Sequence, residues 1–147
     1  MHLIVYTSTY THSEKAAQDD LLDICRAANS FNPTREIAGT LFFHQGRFLQ
    51  ALEGTRENLE ELMARIEKDP RHRDIVRIID EPIEKRSFVD WRLDAFNVSD
   101  DIQLDPELLE NFKITFLGQG PLEGRVFVDL LKKFCANPTL RAALVSC

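Results

Sequence analysis

Two apolar runs, residues 37–43 (IAGTLFF) and 48–52 (FLQAL), are separated by the turn-like His44-Gln45-Gly46 and sit between two segments of helical period. A hairpin flanked on both sides by amphipathic helices leaves few folds open. Upstream, residues 3–6 form an unbroken apolar run closed by Thr7, Ser8 and Thr9, which reads as a strand buried on both faces. Thr11 and Glu14 have the spacing of a capping box, and Leu21, Ile24, Cys25 and Ala28 then form a helical stripe that ends near Asn29 and Pro33. After the hairpin, Thr55 precedes Leu59, Leu62, Met63 and Ile66, a second helical stripe stopped near Asp69-Pro70. Residues 75–79 and 91–98 are further strand candidates. The order β-α-β-β-α-β-β predicts an α+β fold of ferredoxin-like, split βαβ type. Its first and third strands are expected to be central neighbours, with both helices on one face.

Beyond residue 98 the pattern becomes helical. Asp105-Pro106 opens a segment carrying Leu108, Leu109, Phe112 and Phe116, broken at Gly118-Gln119-Gly120-Pro121. A second segment carries Val126, Leu130, Leu131 and Phe134, and a short third helix is expected over 139–145. Such short helices need a surface to pack on, and the sheet face left bare by the first two is that surface. The expected organisation is therefore a sensor-sized unit over 1–98 and a helical extension over 99–147, joined in one structural domain.

The chain has 147 residues, is 44% hydrophobic and 29% charged, and so has the composition of a folded protein rather than a disordered one. Its 18 basic and 24 acidic residues leave a net charge of −6, which argues against nucleic acid or an anionic membrane as partner. Cys25, Cys135 and Cys147 show no zinc-type spacing and read as reduced thiols, Cys25 being a small core residue. No metal site is expected. The N-terminal residues lack the pattern of a signal peptide and no apolar run is long enough for a membrane span, so a cytoplasmic location is expected.

Two polar side chains stand out. Tyr6 closes the first strand and Gln50 lies inside the third, flanked by Phe48, Leu49, Ala51 and Leu52. If the two strands are adjacent, a phenol and a carboxamide converge beneath the helices. Taken alone, Tyr6 is a core tyrosine with a backbone partner. A glutamine in so apolar a strand must satisfy up to about four hydrogen bonds, and its amide can read a ligand with either its oxygen or its NH2.

Tyr6, Asn32-Pro33, Ile37-x-Gly39, the run Gly46-Arg47-Phe48-Leu49-Gln50-Ala51-Leu52-Glu53-Gly54, and Asp69-x-Arg71-His72 together resemble the BLUF domains, flavin-binding blue-light sensors. The resemblance covers residues 1–98. It implies non-covalent binding of FAD, with FMN or riboflavin as alternatives. Tyr6 would be the electron and proton donor, and Gln50 the hydrogen-bonding switch between Tyr6 and the flavin. Asn32 would hold the polar edge of the ring. Arg65 and Asp69 fall at flavin-contacting positions, Arg71 or His72 would approach the ribityl or phosphate end, and Ile24 and Ile66 would line the apolar slot. Trp91 falls where many members carry tryptophan, and with Leu93 it would relay the signal. Leu93 replaces a methionine common in the family, Ala38 a threonine, and Phe31 a polar residue able to touch flavin.

The remaining residues after 98 are too few for an effector domain, so an effector protein acting in trans is expected, and homo-oligomers are common among similar short proteins. The chain is thus expected to be a photoreceptor rather than an enzyme. The competing classes are a light-inactive ferredoxin-like interaction module and a flavin redox enzyme. The second lacks a nicotinamide fingerprint. Glu53 reads as a cap on the second helix start, Arg71-His72-Arg73 otherwise as a solvated turn, and His2, His12 and His44 as scattered turn or surface residues.

Overall fold

Central strands that are near-continuously buried on both faces and amphipathic helices assemble into a five-stranded sheet in the order β4-β1-β3-β2-β5. The computed structural model describes residues 1–147 apart from 89–91, 101, 118 and 120–122. The strands are β1 (His2–Tyr10), β2 (Ala38–His44), β3 (Arg47–Gly54), β4 (His72–Pro82) and β5 (Leu93–Asn97). β1 pairs antiparallel with both β3 and β4, β2 antiparallel with β3, and β5 runs parallel to β2. The central pairing sets Tyr6 opposite Gln50. This is the ferredoxin-like arrangement expected from the hairpin, extended by one parallel strand.

Helices α1 (Ala17–Phe31) and α2 (Arg56–Glu67) cover one face. α1 buries Ala17, Leu21 and Cys25, and α2 buries Leu59, Leu62 and Met63. Thr55 caps α2 by accepting from the Asn58 N–H at 3.2 Å, a cap worth about 1 kcal/mol. On the opposite face lie α3 (Pro106–Phe116), α4 (Gly124–Ala136) and the single turn α5 (Pro138–Arg141). Their Phe112, Phe116, Phe127 and Phe134 share one core with Leu3, Val5, Phe42, Leu49, Ala51 and Phe96 of the sheet. Glu81 on β4 accepts the Gly124 N–H at 2.9 Å, setting a carboxylate at the positive end of α4.

Several expectations are corrected. β1 does not stop at Tyr6: Thr7, Ser8 and Thr9 continue the ladder opposite Leu49, Phe48 and Arg47. Ser8 tolerates full burial because its hydroxyl meets His72 Nδ1 at 2.8 Å. Thr11 and Glu14 form no capping box, since the Thr11 hydroxyl donates instead to Pro70 O at 2.6 Å. Glu53 does not cap α2. It points to the α3–α4 side of the sheet, where its carboxylate accepts the N–H groups of Ser87 and Phe88 at 2.8 Å. His2 and His44 are buried rather than at the surface. The third C-terminal helix ends at Arg141, and the residues after it pair with β5 through Asn97 N–H to Ala143 O at 2.9 Å and Val145 N–H to Ala95 O at 2.8 Å. Cys25 is buried but not a free thiol, because it is bonded to Cys147.

Among the described residues no helix is long and apolar enough to cross a membrane. No group of three or more His, Cys, Asp or Glu among them is placed to hold a metal ion.

Gly39 shows how closely the hairpin strands approach. A Cβ there would lie 2.2 Å from the backbone oxygen of Ala51, an atom that cannot swing aside. Gly39→Ala is expected to part β2 from β3 and cost roughly 1–3 kcal/mol, as overpacking does. An unchanged urea midpoint would contradict that.

Candidate functional site

The two helices do not close fully over the sheet. Between α1 and α2, above β1 and β3, lies a cleft of about 200 Å³. Tyr6, Ile24, Asn32, Gln50, Arg65, Ile66, Asp69, Arg71 and His72, separated in sequence, all line it. The strand pairing brings Tyr6 and Gln50 together, and the Tyr6 hydroxyl donates to Gln50 Oε1. Burial, and secondarily the charge of Asp69, pushes the Tyr6 phenol well above its ordinary range. Tyr6 therefore keeps its proton at neutral pH and keeps donating it to the amide.

Asn32 follows α1 directly, in the short 3-10 turn Asn32–Arg35 that Pro33 pre-sets. Its side chain is 0% exposed, yet neither Oδ1 nor Nδ2 has a hydrogen-bond partner. A buried amide left unpaired costs about 1–3 kcal/mol. A ligand edge that offers both a donor and an acceptor repairs that loss.

The polar end of the cleft is held by charge. Arg71 grips Asp69 with Nη2 at 2.6 Å from Oδ2 and Nε at 2.9 Å from Oδ1. Burial alone would raise the Asp69 carboxyl, but hydrogen bonds from the Arg71 side chain and backbone outweigh it and leave the carboxyl below its usual range. His72 starts β4 half-buried rather than in a solvated turn. Its Nε2 meets the Ile66 carbonyl oxygen at 2.7 Å and so carries a proton there, while Nδ1 meets Ser8 Oγ at 2.8 Å. The ring sits edge-on to Tyr6, with centroids 6.2 Å apart.

Sequence reasoning missed much of the apolar lining: Ala27, Ala28, Phe31, Leu41, Phe48 and Leu62. Strand alternation was the available signal for two of them, since Phe48 shares the Gln50 face and Leu41 pairs with Gln50. Phe31, expected only as a lost polar contact, also carries the Arg65 guanidinium 4.1 Å from its ring centroid. Leu93 lies outside the cleft, fully buried at the start of β5. Its N–H donates to Asn29 Oδ1 at 2.8 Å and its carbonyl accepts from Asn29 Nδ2 at 3.2 Å. Trp91 lies outside the described residues.

The BLUF family, described as sensors of blue-light using FAD, matches residues 1–94. The photoactivated adenylate cyclase subunit beta of Euglena longa is 39% identical over 75 residues, which is 50% of this chain and 9% of that protein. The subunit alpha of Euglena gracilis is 31% identical over 90 residues, 61% of this chain and again 9% of the relative. The chain thus spans about 9% of the length of these curated relatives. Among solved structures, BlrB, described as a BLUF protein in its dark state, superposes with a TM-score of 0.66 at 30% identity, covering 97% of this chain and 96% of that one. The photo-activated state of BlsA gives 0.68 at 25% identity, covering 100% and 97%. A cyclic-diGMP complex of BlrP1 from Klebsiella pneumoniae gives 0.65 at 28%, covering 92% of this chain but 34% of that one.

Proposed function

We propose, from the premise that this chain belongs to the BLUF family of blue-light sensors using FAD, that its cleft holds the flavin ring and that Tyr6 and Gln50 convert absorbed light into a changed hydrogen-bond pattern. The observation that carries this reading is the buried Tyr6–Gln50 hydrogen bond beside an Asn32 amide with no partner of its own. The donor set fits. Asn32 would hold the ring's alternating carbonyl and N–H edge, Ile24 and Ile66 its faces, and Arg65, Asp69, Arg71 and His72 the polar end. FAD is the flavin proposed, with FMN and riboflavin the alternatives.

A bound flavin supplies a strong oxidant when it absorbs blue light. The protein supplies the rest. Tyr6 is the electron-rich group at hand, and its proton has an acceptor in place at Gln50 Oε1. A proton moved along that bond frees the carboxamide to rotate or tautomerise, which changes the group it presents to the cleft. His72, pinned at both ring nitrogens by Ser8 and the Ile66 carbonyl, keeps its ring edge-on to Tyr6. The output is a shift in population of the β5 region, with Trp91 and Leu93 as the proposed relay. The proposed receiver is a separate effector protein, with a homo-oligomer as the receptor's form. The chain's role is sensing rather than turnover, in a cytoplasmic setting.

Gln50→Leu keeps the cleft's volume but removes the amide. The purified variant is expected to stay yellow and to lose the small red shift of its flavin band under blue light. A variant that still shifts would refute the amide's role, and steady oxidation of NAD(P)H by the wild-type protein would favour a redox enzyme instead.

Asn32→Leu gives a second, opposite pair of effects. Removing the unpaired amide is expected to stabilise the flavin-free chain by about 1 kcal/mol while weakening flavin retention on gel filtration. Full retention with no gain in stability would show that Asn32 is satisfied without the ligand.

A further inference from the structure

The last residues of the chain are held by β5 and by α1 together. Ala143 and Val145 pair with Asn97 and Ala95 at 2.9 and 2.8 Å, forming a bridge centred on Phe96 and Leu144. Cys147 is bonded to Cys25 on α1, across a sequence separation of 122. Asn29, one turn beyond Cys25, reaches Cys147 Sγ at 3.3 Å while holding both backbone groups of Leu93. One side chain thus touches the disulfide and the first residue of β5 together. Cys25 Sγ itself lies 3.8 Å from the Leu93 carbonyl oxygen.

The other ends of this arrangement differ in access. Cys25 is 1% exposed inside the α1–β5 core, whereas Cys147 is exposed. An external thiolate therefore meets the Cys147 sulfur first. We propose that Cys25 and Cys147 form a thiol–disulfide exchange site, reactive toward low-molecular-weight thiols, that locks residues 143–145 onto β5. The exchange balances simply. One thiolate attacks Cys147 and expels Cys25 as a thiolate, which takes a proton from water. A second thiolate attacks the reductant's sulfur in the mixed disulfide and expels the Cys147 thiolate, protonated likewise. The reductant leaves oxidised by two electrons with its own disulfide formed. Oxidation runs the same steps backward.

Reduction removes the cross-link and leaves the tail held by its two backbone pairs and by the buried Ala143 and Val145 side chains, a short edge segment that opens more readily than a cross-linked one. The consequence for signalling rests on the light-sensor reading: a looser tail frees β5, so the same light signal moves β5 further in the reduced chain.

The test uses the full chain in the dark, with dithiothreitol as the thiol. Chain purified without reductant should show, once unfolded, one free thiol, Cys135, and a mass about 2 Da below the reduced form. With dithiothreitol, hydrogen exchange at residues 143–145 and 93–97 should quicken by roughly tenfold or more. Cys147→Ser, at an exposed site, should match the reduced chain and ignore reductant. Three free thiols in the oxidised preparation, or equal exchange in the two forms, would overturn the proposal. Neither readout involves the flavin, so failure of the light-sensor reading would leave this result standing, and the reverse.

Discussion

Replacing Tyr6 with phenylalanine is expected to leave a folded, yellow protein whose flavin spectrum no longer moves to the red under blue light. The change removes one oxygen from a residue that is 3% exposed and keeps the ring that packs with Ile4, Leu52 and Met63. Stability should therefore fall little: one buried hydrogen bond, to Gln50, is worth about 1 kcal/mol. The chemistry should fall completely. Burial holds the Tyr6 proton tightly at rest, so only loss of an electron makes that proton mobile, and phenylalanine supplies neither. Light and dark absorption spectra of the variant decide it. A normal red shift would move the photochemistry to another residue, and loss of the flavin itself would show that Tyr6 holds the ligand rather than switches it.

The largest structural effect is expected on the opposite face. Phe112 of α3 is 1% exposed and meets four rings: Phe42, His44, Phe116 and Phe134, at centroid distances of 5.9, 5.4, 5.4 and 5.3 Å. Phe112→Ala should cost about 3–5 kcal/mol, a large part of the roughly 5–15 kcal/mol that holds such a domain together. At about 2–4 °C per kcal/mol for a chain of this size, the melting temperature should drop by roughly 6–20 °C. Because Phe112 lies across the sheet from the cleft, the flavin's spectral shift should survive below the new transition. A loss under 1 kcal/mol would mean that the C-terminal helices add little to the core. Loss of the photoresponse in a still-folded variant would mean that the two faces are energetically linked.

Local pattern and pairing explain what the sequence showed and what it hid. The adjacency of Tyr6 and Gln50 was readable because a hairpin after a strand–helix unit fixes which strands become central neighbours. The packing of the phenylalanine-rich C-terminal helices followed from a sheet face with nothing else to cover it. Details set by long-range register were not readable. His72 faces Ser8 only because β4 extends back to residue 72, past the apolar stretch that marks its middle. Glu53 sits three residues after Gln50 but on the other face of the strand, so it serves the Ser87–Phe88 segment rather than α2. Cys25 and Cys147 meet through the fold alone, since no local spacing connects residues 122 apart.

The central claim is that this cleft is a light switch built on a flavin. It is tested most directly by the absorption spectrum of the purified wild-type chain before blue light, after it, and through recovery in the dark. The account predicts a flavin band that moves slightly to the red on illumination and returns fully in darkness. A colourless protein that takes up no added FAD, or a flavin band that light leaves unmoved, would contradict it.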